Sequence, residues 1–248
     1  MIRDTLLFFR YEMAKTFRNP VWPLFGILQP VLYLLMFAPL TKGLVGGSEV
    51  EALRAFTPAA LMMIAVFGSL FTGFGLIADL RNGSLERLAV SPAWRPALVL
   101  GRVLRDMVTL VVQALLVFAV AALMGLRVGP VELVLMLLLM AATGLFASSL
   151  SQGLALAVRD ENGMSQTLNL FMLPVMLLAG LFIPIAFAPE WMQTIAPVNP
   201  LYHAAEAGRA LFAGRLGDSE IPIAFGLFIA LAALTTTWSV RSLRRIAG

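Results

Sequence analysis

The residues of this chain that could do chemistry gather at two places, and neither has the residue types of a catalytic centre. One is a polar segment that includes Asp79, Arg81 and Glu86; the other, residues 200–209, holds the only histidine. Leucines beside charged side chains on a short helix suit protein binding, since leucines fill a groove and charges fix the register. We therefore expect recognition rather than catalysis from the polar segment, and we predict no catalytic residue.

Composition excludes several kinds of site. The chain has no cysteine and one histidine, so neither thiol chemistry nor a metal site is expected. Its only lysines are Lys15 and Lys42, and neither follows a glycine-rich loop, so the chain cannot bind ATP by a P-loop. Residues 73–78 match a dinucleotide-binding motif in letters only. No strand precedes them, so we interpret these glycines as helix-packing positions.

The elements that must position these residues are membrane helices. Six stretches contain no Asp, Glu, Lys, Arg or His, and each has 20 to 28 residues. A helix needs about 20 apolar residues to cross roughly 30 Å of hydrocarbon. A soluble domain, which would not need such stretches, is excluded by this pattern and by the 60% apolar composition. The stretches are residues 19–41, 55–78, 107–126, 133–158, 162–189 and 221–240.

We predict an all-α integral membrane protein in which residues 1–248 form one transmembrane domain. Residues 79–97 join the second and third spans. Residues 187–215 are expected to form short re-entrant external helices before the last span, because their apolar stretch is too short to cross. No carboxylate lies in the middle of any predicted span, which argues against an ion-coupled carrier. The six helices are predicted at about residues 21–41, 56–78, 98–125, 132–156, 163–186 and 221–241.

The distribution of charge sets the orientation. With both termini on one side, the lysines and arginines split 13 to 5 in favour of that side, while the acids split 7 to 7. Cytoplasmic connections are enriched in lysine and arginine, so both termini are predicted to be cytoplasmic. The basic residues are thus explained by topology, and no nucleic-acid partner is expected.

Residues 1–19 are predicted to form an amphipathic helix on the membrane surface. Apolar residues from Ile2 to Phe17 share one arc, and charged residues that include Arg10 and Glu12 occupy the other side. Two interpretations stay open. The helix is either an ordinary anchor in membrane lipid or an anchor that also touches a cytoplasmic partner.

Two motifs carry a resemblance to a known family. The first is Asp79-Leu80-Arg81-Asn82-Gly83-Ser84-Leu85-Glu86-Arg87-Leu88, followed by Ser91-Pro92 and Leu100-Gly101-Arg102. The second is Pro200-Leu201-Tyr202-His203 with Arg209 six residues later. In this order and between these spans, they resemble the permeases of ABC-2 type (type V) exporters. Within that family the chain is most similar to the daunorubicin-resistance branch, which includes nodulation-factor exporters.

The resemblance implies a permease dimer in the bacterial plasma (inner) membrane. The second copy is expected to be identical, and each copy would bind a separate P-loop ATPase subunit that holds ATP and Mg, so this chain would bind no cofactor. The N-terminal helix and the short helix after the second span would seat the ATPase, with Glu86 as the leading candidate. The residues implied in coupling are Arg10, Glu12, Asp79, Arg81, Gly83, Ser84, Leu85, Glu86, Arg87 and Leu88.

The cargo path is implied to lie along the first, second and fifth spans. Large adaptable side chains there suit apolar cargo, although such residues also occur as plain packing or lipid-facing positions. The candidates are Phe67, Phe71, Phe74, Phe171, Met172, Met176 and Phe182. The external signature comprises Pro200, Leu201, Tyr202, His203 and Arg209. His203 is interpreted as a hydrogen-bonding staple of the external helices, with cargo contact or pH sensing as the alternatives.

The function implied is an ATP-driven exporter of an amphiphilic or hydrophobic, drug-like molecule. Three alternatives stay open: export of a lipid or lipid-linked polysaccharide on the same fold, a non-transporting membrane anchor for a cytoplasmic ATPase, and a passive channel or carrier. The sequence leaves open the identity of the cargo and whether the second permease copy is a different chain.

Overall fold

The computed structural model of the chain describes residues 2–18, 27–28, 31–32, 34–36, 49–83 and 96–246. Apart from turns and short connections these residues are helical, and no strand occurs among them, which confirms the all-α class for this part of the chain. Two short 3₁₀ helices lie at Ile185–Phe187 and Ala196–Val198. The α-helices are α1 (Ile2–Arg18), α2 (Glu49–Leu70), α3 (Thr72–Arg81), α4 (Pro96–Leu123), α5 (Pro130–Val158), α6 (Glu161–Leu178), α7 (Glu190–Ile195), α8 (Pro200–Phe212) and α9 (Glu220–Ile246).

Four helical segments in the described ranges are long and apolar enough to cross a membrane: Val50–Arg81, Pro96–Leu123, Pro130–Val158 and Glu220–Leu243. They correspond to the second, third, fourth and sixth predicted spans. The first predicted span lies outside the described residues except for a few positions, and the fifth corresponds to α6, which has 18 residues. The chain is a multi-pass membrane protein, while the count of six stays a prediction.

Helix α5 lies at the centre of the bundle and contacts α2, α3, α4, α8 and α9. Its buried positions include small residues such as Gly144, Ala147 and Gly153. Small residues let helix backbones approach closely. This packing favours helix association in a membrane, because the hydrophobic effect contributes little there. At Gly153 the ring of Trp238 on α9 occupies the place where a Cβ atom would lie.

The second span is interrupted between α2 and α3 by a turn at Phe71. The hydroxyl of Ser151 on α5 lies against this interruption, where it accepts a hydrogen bond from the Gly73 N–H at 2.9 Å and contacts the Leu70 carbonyl oxygen. Neighbouring side chains commonly satisfy backbone groups freed inside a membrane helix. The prediction of one span over residues 56–78 did not include this break, because a charge-free stretch carries no sign of a hydroxyl on another helix.

Helix α4 begins at Pro96, well before the charge-free stretch that starts at residue 107. Its early turns therefore carry Arg102, Arg105 and Asp106, and Asp106 is buried. Asp106 lies in the first half of this 28-residue helix, and it was not among the residues considered from the sequence. Asp106 is tolerated because an arginine and a serine lie against it, and a charge-free criterion cannot register such partners.

Helix α6 ends at Leu178, before the predicted limit at residue 186. Gly180 follows with a φ of 67°, a left-handed conformation that glycine adopts without a Cβ clash, and the chain turns there. Helix α8 then begins at the N-cap Asn199, whose side chain accepts from the Leu201 N–H at 3.0 Å. The region predicted at residues 187–215 thus contains two short helices, and its depth in the membrane stays a prediction.

Candidate functional site

A cluster of four charged side chains lies where α1, α3 and α4 meet. We call Glu12, Lys15, Asp79 and Arg102 the ion cluster. Arg102 is only 4% exposed, its Nε donates to Glu12 Oε1 at 3.0 Å, and its Nη2 donates to Asp79 Oδ2. Lys15 Nζ lies 3.3 Å from the same Asp79 carboxylate. One guanidinium of the third span therefore joins the N-terminal helix to the end of the second span.

Close packing of α1 on α4 brings these charges together. A Cβ at Gly101 would lie 2.6 Å from Phe8 Cβ and 2.9 Å from the backbone nitrogen of Phe9. Only glycine permits this approach, and the next residue, Arg102, then reaches Glu12. These contacts explain the motif Leu100-Gly101-Arg102. Its glycine allows α1 to pack closely on α4, and its arginine forms an ion pair with Glu12 of α1.

The electrostatics of the ion cluster depend on its completeness. Removing one partner of a buried ion pair typically costs about 3–5 kcal/mol, because the remaining charge is buried without compensation. Nη1 of Arg102 is already buried without a hydrogen-bond partner among the described residues. Loss of a further hydrogen bond or ion pair of Arg102 is therefore expected to destabilise the protein.

A second polar network surrounds Asp106, which is 6% exposed. Ser148 Oγ on α5 donates to Asp106 Oδ2 at 2.5 Å, and Arg105 Nε lies 2.9 Å from Oδ1. Ser148 also lies 3.4 Å from Thr72 Oγ1 and accepts from Gln152 Nε2 at 3.3 Å. This network connects α4 through α5 to the first residue of α3.

The predicted coupling residues fall into three groups. Asp79 and Glu12 belong to the ion cluster, so Glu12 is not on the exposed face of α1. Arg10 is exposed, and Arg81 lies 3.1 Å from Asp160 and 3.4 Å from Glu161 across the connection between α5 and α6. Asn82 and Gly83 form a turn after α3, with a φ of 63° at Gly83. Ser84, Leu85, Glu86, Arg87 and Leu88 lie outside the described residues.

The candidate path residues do not form one surface in a single chain. Phe67, Phe71 and Phe74 stack in sequence beside the break, with ring centroids 6.5 and 5.8 Å apart. Phe171 is exposed on α6 and Met176 is buried in the core. The remaining two, Met172 and Phe182, pack against that core.

The external signature ties the ends of two spans together. His203 Nδ1 lies 2.8 Å from Glu220 Oε2 at the start of α9, and its Nε2 lies 2.9 Å from the Pro197 carbonyl oxygen. Arg209 donates to Glu206 and to the Gly180 carbonyl just beyond α6. His203 therefore contacts both the start of α9 and the segment before α8, and its role as a staple stays a prediction.

Asn199, which precedes the signature, and the remaining signature residues position the same helix. Asn199 Nδ2 donates to the Val175 carbonyl oxygen at 2.6 Å, so the N-cap of α8 also holds the last turn of α6. Pro200 opens α8 and Leu201 is buried beneath it. Burial raises the pKa of the half-buried Tyr202, and the neighbouring carboxylates of Glu206 and Glu220 raise it further.

Sequence reasoning assigned no individual role to Arg102 or to Asp106, the central residues of the ion cluster and of the second polar network. Arg102 was only part of a motif, and Asp106 was not considered. A signal was nevertheless available: Ser148, Ser151 and Gln152 fall at spacings of three and four residues, which puts them on one face of an otherwise apolar helix. Within the described ranges, no group of His, Asp or Glu residues could hold a metal ion.

Comparison with known proteins gives the family. The family described as ABC-2 type transporter matches residues 3–213. The chain is 27% identical to the daunorubicin resistance ABC transporter permease protein DrrB1 of Streptomyces coeruleorubidus, over 88% of this chain and 78% of that protein. It is 24% identical to the "Probable multidrug ABC transporter permease YbhR" of Escherichia coli (strain K12), over 73% of this chain and 48% of that protein.

The family match covers most of the chain and includes both of its motifs. The family provides the membrane subunit of a transporter and works with an ATP-binding partner, in agreement with the multi-pass helical structure. This chain therefore belongs to the ABC-2 type transporter family.

Proposed function

We propose that this chain is the permease subunit of an ATP-driven exporter that moves an amphiphilic or hydrophobic, drug-like molecule out of the cell. ATP and Mg would be held by a separate P-loop ATPase subunit. The single observation that carries the proposal is the ion cluster, in which Arg102 links Glu12 of α1 to Asp79. A force applied to α1 or to the chain after Asp79 would reach the third span through this buried contact.

Coupling would begin at residues 84–88. Leu85 and Leu88 would enter an apolar groove of the ATPase, while Glu86 and Arg87 would fix the register. Arg10 is exposed and is available for a further charge contact. Arg81 is exposed too, but it is paired with Asp160 and Glu161, so a contact with the ATPase would replace these pairs. Glu12 and Asp79 would transmit the movement rather than touch the ATPase, since Arg102 engages both.

The drug-like cargo class is supported by the names of the relatives, which concern daunorubicin resistance and multidrug transport. It is further supported by the apolar character of the candidate path residues. A second, identical copy of the chain would complete the path, and membrane lipid would surround the dimer. We place the complex in the bacterial plasma membrane with both termini cytoplasmic, since the charge distribution favours this orientation.

The first experiment is a pull-down of the tagged chain from its native membrane in mild detergent, followed by mass spectrometry. We expect a P-loop ATPase subunit in stoichiometric amount, and we expect its loss when Leu85, Glu86 and Leu88 are all replaced by alanine. Glu190→Ala is the matched control, because this exposed glutamate begins α7, outside the predicted coupling segment. Purification of the chain alone would contradict the proposal.

Transport gives the second test. The Glu86→Ala complex should export less fluorescent efflux probe than the unsubstituted complex while it remains inserted, and Glu190→Ala should export normally. Equal export by both variants would remove Glu86 from the coupling assignment. Export by this chain without any ATPase would instead favour a passive channel.

A further inference from the structure

The break between α2 and α3 is held from outside by one side chain. In a continuous helix the Gly73 N–H would donate to the carbonyl of Ser69. Here Ser151 Oγ accepts that hydrogen bond at 2.9 Å, and the Ser69 carbonyl accepts from Thr72 Oγ1 at 2.8 Å instead. Ser151 Oγ also donates to the Leu70 carbonyl. The same hydroxyl thus serves a backbone group on each side of the turn.

Packing at the break leaves no room for a side chain at Gly73. A Cβ at Gly73 would lie 2.5 Å from the Ser151 carbonyl oxygen and 2.7 Å from its Oγ. Helix α3 is therefore pressed directly onto the backbone of α5. Both Gly73 and Ser151 are buried, so the contact is shielded from competing water.

The break also sets the relative positions of the aromatic rings of Phe67, Phe71 and Phe74. Phe67 belongs to α2, Phe71 forms the turn, and Phe74 belongs to α3. Their rings are nearly parallel, with interplanar angles of 5° and 21°. Because the first and last rings stand on different helices, their alignment depends on the angle between α2 and α3.

We propose that Ser151 is a positioning residue: it fixes the break in the second span and thereby sets the alignment of the three phenylalanine rings along the cargo path. The part that concerns cargo rests on the proposed function. Ser151 contacts the backbone of the second span, so it acts through α3 and not by touching the cargo.

The break can be measured without transport, because the chain has no cysteine. Spin labels would be attached at Arg54→Cys and Gly75→Cys, two exposed positions on either side of the break. The labelled chain would be diluted with unlabelled chain in lipid nanodiscs, so that distances within one chain dominate. We expect Ser151→Ala to broaden the distance distribution by about twofold, since both freed backbone groups lose their partner. An unchanged distribution would overturn the proposal.

Ser149→Ala is the matched control. Ser149 is also buried on α5, but its hydroxyl lies 2.8 Å from Thr236 Oγ1 on α9 and does not serve the second span. It should leave the distribution unchanged. Equal broadening by Ser149→Ala would mean general loosening of the bundle and would also overturn the proposal.

The consequence for cargo is tested in the complex with its ATPase, with ethidium as the fluorescent probe. Ser151→Ala should raise the ethidium concentration for half-maximal efflux by about tenfold while leaving ATP hydrolysis without ethidium unchanged. In a Phe71→Ala background the serine change should have no further effect, since residues that act together are non-additive. An unchanged half-maximal concentration beside a broadened distance distribution would overturn the positioning role. Absence of ethidium efflux from the unsubstituted complex would count against the proposed function alone, and the distance measurement would then decide on Ser151.

Discussion

Arg102 is the residue on which the ion cluster depends, because it contacts both the buried carboxylate of Glu12 and the partly buried carboxylate of Asp79. We expect Arg102→Ala to lower the free energy of unfolding by about 3–5 kcal/mol, since the buried carboxylate of Glu12 loses its cation and Asp79 keeps only Lys15. Glu12→Ala should cost less, because Arg102 keeps Asp79. The double variant should cost clearly less than the sum of the two, as expected for residues in direct contact. Denaturant unfolding in detergent measures all three, and additive costs would show that the pair is not coupled.

Arg81 lies in a contrasting environment. Its pairs with Asp160 and Glu161 are between side chains that are about half exposed, where an ion pair is typically worth about 0–1 kcal/mol. Arg81→Ala should therefore leave stability within about 1 kcal/mol of the unsubstituted chain. Unfolding measurements test this directly. A larger loss would mean that the pairs hold α3 in place, and any loss of ATPase binding could not then be assigned to the surface.

For individual residues, the sequence predicted the positions of the important side chains well, but it did not predict their contacts. It drew attention to Arg102 as part of a motif and to Glu12 as a charge on α1. It placed Glu12 on the solvent side of an amphipathic helix, because a helical projection assumes one apolar partner. In the structure α1 has protein on a side that includes Phe8 and Glu12, and burial of a carboxylate there requires a cation that sequence spacing cannot locate.

Among the helices, α1 depends on a single glycine for its position on α4. Gly101→Ala should displace α1, because the new Cβ would lie 2.9 Å from a backbone atom that cannot rotate away. We expect amide hydrogen exchange of residues 2–18 to become about tenfold faster, since local opening follows lost packing. Gly75→Ala is the control: it adds a methyl group to a helix, but nothing lies within 4 Å of its Cβ. Equal exchange in the two variants would contradict a seating role for Gly101.

The helices themselves were the most predictable feature. A backbone in lipid must satisfy its own hydrogen bonds, so long charge-free stretches become helices, and four of them do so in the described chain. Their interruptions and limits were less predictable. The break at Phe71 depends on Ser151, far along the chain, and the early start of α4 depends on partners for Asp106. Both are tertiary contacts, which local composition does not record.

For the whole molecule, the central question is what covers α6. Its outer residues Leu170, Phe171 and Leu173 are 68%, 62% and 59% exposed. Only three of the 18 residues of α6 are buried, against 13 of the 29 residues of α5. In a membrane such a surface is stable against lipid, so exposure alone does not require a partner. Under the proposed function a second copy would complete the path, with the fifth span beside it. If a second copy covers α6, the outer faces of α6 in the two copies lie close together across a twofold axis. If lipid covers α6, the two faces lie apart.

Single cysteines distinguish these possibilities, because the natural chain has none. We predict that Leu170→Cys or Phe171→Cys will give a cross-linked dimer with a short bismaleimide in native membranes, since an isologous interface brings equivalent residues together. Leu234→Cys on α9 is the control; it is similarly exposed, at 67%, but faces away from the bundle on another span. Dimer bands on denaturing gels, at protein densities low enough to prevent chance collisions, measure the result. Cross-linking by neither α6 position, or equal cross-linking by Leu234→Cys, would place lipid against α6 and move the contact between copies to another surface.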